Sequence, residues 1–159
     1  MTQSARKVLV TVFWDMFGVL LVDFAEHGTT VNAAAYIKTL FKLRRALRDK
    51  RRNINGVKLL HDNARPHVAA PVREKLAKFG WEVLQHPPYS PDLAPSDFHL
   101  FGPMKKFLAG QHFATDAEVK SGVRRWLYSR QTDFYEQGIL KLVPRWEKCV
   151  EKIGDYVEK

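Results

Sequence analysis

The chain has a single cysteine, Cys149, among 159 residues. No internal disulfide and no cysteine-rich zinc site can be built from it, and a lone thiol suits a reducing compartment, cytosol or nucleus. Long apolar runs are missing too: none approaches the roughly 20 residues that cross a bilayer. The opening MTQSARKVLV lacks the apolar stretch of a signal peptide, and no membrane partner is expected. Repeats, low-complexity tracts and domain linkers are also lacking. The expectation is one domain over residues 1–159, long enough to bury most of the surface of its unfolded form.

Acidic residues are the scarcer charge, 17 against 26 Lys and Arg, for a net charge of +9 and a pI near 9.8. Such an excess draws polyanions, because cations that neutralise phosphates release condensed counterions. Alone it does not choose among nucleic acid, an acidic membrane and an acidic protein. The excess gathers between Lys38 and Arg52, where Lys38, Lys42, Arg44, Arg45, Arg48, Lys50, Arg51 and Arg52 meet only Asp49. A solvated helix face accounts for such a run equally well.

What is present is a foldable pattern, 45% hydrophobic and 27% charged. Lys7 to Trp14 and Gly18 to Phe24 are β-branched and aromatic on either side of a short break, which predicts two antiparallel strands. Glu26 to Val31 offers a third. Asn32 is an N-cap for a helix from Ala33 to about Lys50, with Tyr36, Ile37, Leu40, Leu43 and Leu47 on one face and most cations opposite. Val57 to Leu60 is too short for a helix and reads as a central strand. Val68 to Phe79 reads as a helix closed by Gly80, and Trp81 to Leu84 as a strand parallel to the central one. Pro87, Pro88, Pro91 and Pro95 stiffen the loop that follows. Ser96 is a candidate N-cap, Pro103 predicts an end or kink, and Thr115 to Glu118 has the capping-box pattern opening a helix toward Arg130. Thr132 to Val157 reads as helical, broken near Gly138 and Pro144. The order predicts a mixed sheet with helices on both faces.

Three carboxylates stand where strands or helices begin or end: Asp15 in VFWDMFG, Asp62 in LLHDNARPH and Asp97 in APSDFHLF. Acidic side chains converging from different elements hold Mg²⁺ or Mn²⁺ for phosphoryl chemistry, since hard cations take oxygen ligands. Each also has a plainer reading. Asp15 suits a hairpin turn, Asp62 can bond nearby backbone at a strand end, and Asp97 is a favourable charge at a helix start. His61, Arg65, His67 and His99 lie beside these positions, as phosphate contacts, as carboxylate-orienting groups, or as ordinary structural residues. Trp14, Trp81, Trp126 and Trp146 read as core.

The strings VTVFWD, LLHDNARPH, HPPYSPDLAPSDFHLF and PRWEKCVEKIGDYV, with 34 residues between Asp62 and Asp97, resemble the catalytic domain of mariner-family transposases of the Tc1/mariner superfamily over nearly the whole chain. The resemblance implies an RNase H-like mixed β-sheet flanked by α-helices, as in the retroviral integrase and transposase superfamily. It also implies a three-aspartate site for Mg²⁺ or Mn²⁺, two ions, carried by Asp15, Asp62 and Asp97. Asp92 competes for the third place but sits in the proline loop, off the family interval. The implied chemistry is DNA cleavage by water and joining of a 3′-hydroxyl to target DNA at a TA dinucleotide, by a homodimer acting on transposon ends in the nucleus. No covalent protein intermediate is needed, so Cys149 and the serines are not expected as nucleophiles. Family members carry helix-turn-helix modules before this domain, and none precedes Lys7, so end recognition is expected to be missing or to lie elsewhere. Two alternatives stay open. One is a domesticated DNA-binding or interaction module without transposition activity. The other is an RNase H-type nuclease on RNA–DNA hybrids.

Overall fold

Alternation along the first two strands sets the layering of the molecule. The computed structural model describes residues 8–25, 32–51, 56–60, 65–84, 94–142 and 144, without the side chains of Arg65, Pro66 and Asp97. Strands β1 (Val10–Asp15) and β2 (Gly18–Phe24) form an antiparallel hairpin in which Val12 pairs with Val22 and Phe13 with Leu21. Trp14 then pairs with Val19, so Leu20 has no opposite number. This bulge turns both Leu20 and Leu21 toward the same side, where they meet the apolar face of helix α1 (Ala33–Lys50).

Asn32 caps α1 by accepting the Ala35 amide at 2.9 Å, as its residue type predicts. Tyr36, Leu40, Leu43 and Leu47 are buried, while Lys38, Lys42, Arg45, Arg48 and Lys50 are exposed. Beyond α1 come β3 (Lys58–Leu60), the short helix α2 (Arg65–Val68), α3 (Ala70–Phe79) and β4 (Glu82–Leu84). Gly80 ends α3 in the left-handed region at φ 75°, where a Cβ is unfavourable. The helix expected from Val68 is in fact two pieces. Ala69 is extended and Pro71 sits in the first turn of α3, so the chain restarts rather than continues.

β3 and β4 are parallel, as expected, with Leu59 opposite Val83. The single mixed sheet of the sequence reading is resolved into two two-stranded ladders, and no backbone bonding joins β1 to β3 among the described residues. The second ladder is only three residues long in each strand. Packing does the joining: one core cluster holds Leu20 of β2, Leu40, Leu43 and Leu47 of α1, Leu59 of β3 and Leu76 of α3.

The opposite face of the hairpin carries the second core. Val12 and Val19 pack there with Leu100, Met104, Val123, Trp126, Leu127 and Tyr135. These come from a π-helical segment (Ser96–Phe101) that runs into α4 (Gly102–Ala109), from α5 (Asp116–Ser129) and from α6 (Thr132–Leu140). The wide turns precede Pro103, whose ring would clash with the His99 carbonyl in a regular α turn. The α5 start is capped much as expected: Thr115 Oγ1 accepts the Glu118 amide at 3.2 Å, while the Glu118 carboxylate reaches back one residue beyond the N-cap to accept the Ala114 amide at 2.5 Å. Gly138 does not break α6. It lies inside it, where a Cβ would stand 2.5 Å from the His99 ring and 2.8 Å from that of Trp14. The strand proposed for Glu26 to Val31, together with Trp146 and Cys149, lies outside the described residues.

Candidate functional site

A cleft of about 550 Å³ opens between the two ladders, with Asp15, Phe17, Arg51, Lys58, Leu60 and Ser96 among its lining residues. Its floor is apolar, built partly from Phe13, Leu43 and Leu47. Three chain segments reach it for separate reasons. β1 arrives through the hairpin, β3 through burial of Leu59 under α1, and the π-helical segment through burial of Leu100 in the second core.

The segments carrying the three expected aspartates therefore converge. Asp15 lines the cleft itself. Leu60 brings the chain to two residues before Asp62, and Ser96 immediately precedes Asp97. Asp62, the competitor Asp92 and His61 lie outside the described residues. For Asp97 the backbone is described, in the first turn of the π-helical segment, and the side chain is not. Ser96 is not the N-cap predicted for it. The helical conformation begins before it, and its hydroxyl accepts the indole N–H of Trp14 at 2.9 Å.

Asp15 is the one carboxylate of the set whose surroundings are fully described, and they are those of a clamp. Arg51 Nε donates to its Oδ2 at 2.9 Å and Arg51 Nη2 to its Oδ1 at 2.8 Å. The Phe17 amide also donates to Oδ1, at 2.9 Å. Hydrogen bonding to Asp15 raises the Arg51 pKa above its ordinary value, desolvation opposes this, and the charge of Asp15 adds to the rise. Arg51 therefore keeps its positive charge throughout the physiological range. A divalent ion at this carboxylate would have to displace a guanidinium already fitted to both oxygens. The geometry thus favours the hairpin-turn reading of Asp15 over the ligand reading. Among the described residues no three His, Cys, Asp or Glu side chains are grouped to hold a metal.

The clamp also explains the turn. Met16 and Phe17 alone connect the strands, Asp15 pairs with Gly18, and Gly18 takes φ 129°, which L side chains rarely adopt. Lys50, next to Arg51 at the end of α1, donates to the Leu20 carbonyl at 3.0 Å, a group in the bulged stretch. Sequence reasoning placed Arg51 only in the basic run from Lys38 to Arg52 and did not single out Phe17. Two apolar residues in a two-residue turn were the available signal.

The neighbouring residues divide. His99 donates from Nε2 to the Phe134 carbonyl at 2.6 Å and lies 4.4 Å from the Phe134 ring, a structural role. The His67 ring packs 4.1 Å from that of Tyr36. Arg65 opens α2. Trp81 and Trp126 are core as expected, and Trp14 is half-buried.

Comparisons with known proteins agree with this geometry. The family model described as "Transposase (partial DDE domain)" matches residues 1–57. Over 157 residues the chain is 45% identical to the Mariner Mos1 transposase of Drosophila mauritiana, covering 96% of this chain and 46% of that protein. It is 39% identical over 156 residues to the histone-lysine N-methyltransferase SETMAR of Homo sapiens, covering 96% of this chain and 23% of that one. The chain spans less than half the length of both. The structure of the Mos1 transposase catalytic domain with raltegravir and Mn superimposes with a TM-score of 0.85 at 45% identity, over 91% of this chain and 74% of that one. The Mos1 mariner paired end complex with Mn gives a TM-score of 0.88 at 44% identity, over 96% and 45%.

Proposed function

The chain belongs to the mariner family of DNA transposases, within their RNase H-like catalytic domain, and from that premise we propose that it cuts DNA phosphodiester bonds and transfers the freed strand with Mg²⁺ or Mn²⁺. The observation that carries the proposal is the convergence of β3 and the π-helical segment on one cleft, whose lining residues Leu60 and Ser96 precede Asp62 by two positions and Asp97 by one in the sequence. These two are the proposed ligands. Magnesium sites commonly use one or two carboxylates completed by water and substrate phosphates, so a third acidic side chain is not obligatory. Asp15, the remaining member of the expected set, is assigned to the Arg51 clamp instead, and a pair of ions would draw further ligands from substrate.

A bound divalent ion supplies Lewis acidity at the phosphoryl group and a more acidic water. In cleavage, the water oxygen bonds to phosphorus and the 3′ oxygen leaves as a hydroxyl. In strand transfer, that hydroxyl bonds to a target phosphorus and displaces the target's own 3′ oxygen. The exposed cations of α1 support a DNA substrate, because their charge is sequence-independent and matched to phosphate. Transposon ends, a TA target, a homodimer and a nuclear location belong to the same proposal.

The test is nicking of supercoiled DNA by the full chain with Mg²⁺ or Mn²⁺, and its loss in Asp62→Ala. Undiminished nicking in that variant, or in chelator, would sink the assignment. The likeness to part of SETMAR favours a second reading, a captured module that binds DNA without cutting it. Calorimetry showing no Mn²⁺ site dependent on Asp62 and Asp97 would select that reading.

A further inference from the structure

The β1–β2 turn places an aromatic ring in an unusual position. Phe17 is 64% exposed, although nothing in a two-residue turn requires a large apolar side chain. It lines the cleft with Ser96 and Leu60, which precede Asp97 by one position and Asp62 by two in the sequence. The Arg51 guanidinium lies 5.5 Å from the ring centroid, close enough for a cation–π contact. The same guanidinium grips Asp15, which in turn binds the Phe17 amide. Ring, guanidinium and carboxylate form one unit tied to the end of α1. Lys58 is an exposed cation lining the same cleft.

We propose that this hairpin tip is a nucleobase-stacking element of the cleft, with Phe17 as the stacking ring and Asp15 and Arg51 as the residues that position it. The inference rests on the reading of the chain as a DNA-processing domain. A duplex opened for cutting exposes unpaired bases beside the scissile phosphate, and every base offers a π-face to an aromatic ring irrespective of sequence. A ring carried on a clamped turn loses little freedom on binding, and nearby cations meet the flanking phosphates. The clamp gives the Asp15 carboxylate a purpose in the cleft that does not involve a metal.

The experiment titrates the full chain into two DNAs, a blunt duplex and the same duplex with a short single-stranded 3′ overhang containing 2-aminopurine. Wild type and Phe17→Trp are expected to quench the 2-aminopurine. Phe17→Ala is expected to lose the quench and to bind the overhang DNA about tenfold more weakly, with blunt-duplex affinity within about twofold of wild type. Equal quenching by Phe17→Ala, or equal loss on both DNAs, overturns the proposal. Asp15→Asn is expected to reduce the quench, and Asp15→Glu, which keeps a carboxylate for Arg51, to recover part of it. Full quenching by Asp15→Asn overturns the positioning role. Failure of wild type to bind either DNA removes the underlying DNA reading, an outcome distinct from selective indifference to Phe17.

Discussion

Trp14 and Ser96 are joined by a 2.9 Å hydrogen bond across 82 positions of the chain. The indole N–H belongs to the residue before Asp15 and the accepting hydroxyl to the residue before Asp97, so the bond ties the end of β1 directly to the start of the π-helical segment. Ser96→Ala leaves the part-buried indole donor without its partner, at a cost of about 1–2 kcal/mol. DNA nicking, assayed where both proteins are fully folded, is expected to fall further than this loss explains, because Asp97 loses its tether. An unchanged nicking rate would mean that the bond stabilises the fold without positioning the site.

Asp15 and Arg51 make the sharper prediction. With side-chain exposures of 32% and 25%, the pair is only partly shielded, so Asp15→Asn is expected to cost about 1 kcal/mol by denaturant unfolding, after discounting for solvent screening. Mn²⁺ affinity measured by calorimetry is expected to stay within about twofold of wild type. Asp62→Asn and Asp97→Asn should each abolish it. Loss of Mn²⁺ binding in Asp15→Asn as severe as in Asp62→Asn would restore Asp15 to the ligand set and refute the clamp.

How far this was legible in the sequence depends on range. Asn32, the Thr115 to Glu118 box and Gly80 announce helix ends because capping chemistry acts over three or four residues. Tyr36, Leu40, Leu43 and Leu47 announce a buried face by spacing alone. Nothing local announces that Arg51 reaches Asp15, 36 residues away, or that Ser96 serves Trp14 rather than its own helix. Gly138 misleads for a related reason: glycine weakens helices locally, yet here its missing Cβ admits His99 and Trp14 from distant elements. The family strings identified the fold, but an aspartate beside an aromatic run is the same text whether it binds a metal or closes a turn.

Gly138→Ala follows from that packing. Its Cβ would lie 2.5 Å and 3.0 Å from two atoms of the His99 ring and 2.8 Å from Trp14; the 2.5 and 2.8 Å approaches are closer than real Cβ contacts come. Neither ring is free to retreat, since His99 is bonded to the Phe134 carbonyl and Trp14 to Ser96. The gain in helix propensity, about 1 kcal/mol, is expected to be outweighed by overpacking, for a net loss of about 1–2 kcal/mol. Thermal unfolding checks it, and a rise in Tm would show that α6 shifts to accept the methyl group.

Tyr135 contributes a stability that declines at high pH. Burial pushes its phenol up to about 12, with Arg130 lowering it and Tyr128 adding a further rise. Only 2% of the residue is exposed, and its hydroxyl donates to the Leu127 carbonyl, a bond the phenolate cannot make. The folded state holds this proton more tightly than the unfolded chain, whose phenol ionises near 10. The contribution is therefore fully present below pH 10 and is lost as pH rises from about 10 to about 12, by roughly 2–3 kcal/mol. Tyr135→Phe lacks the ionisable group and should show a correspondingly shallower decline over that interval. It should also be less stable than wild type at neutral pH by about 1 kcal/mol, for the missing hydrogen bond and the Leu127 carbonyl left without it. Parallel stability–pH curves for the two proteins, measured by urea unfolding, would show that the Tyr135 phenol ionises equally in the folded and unfolded chains.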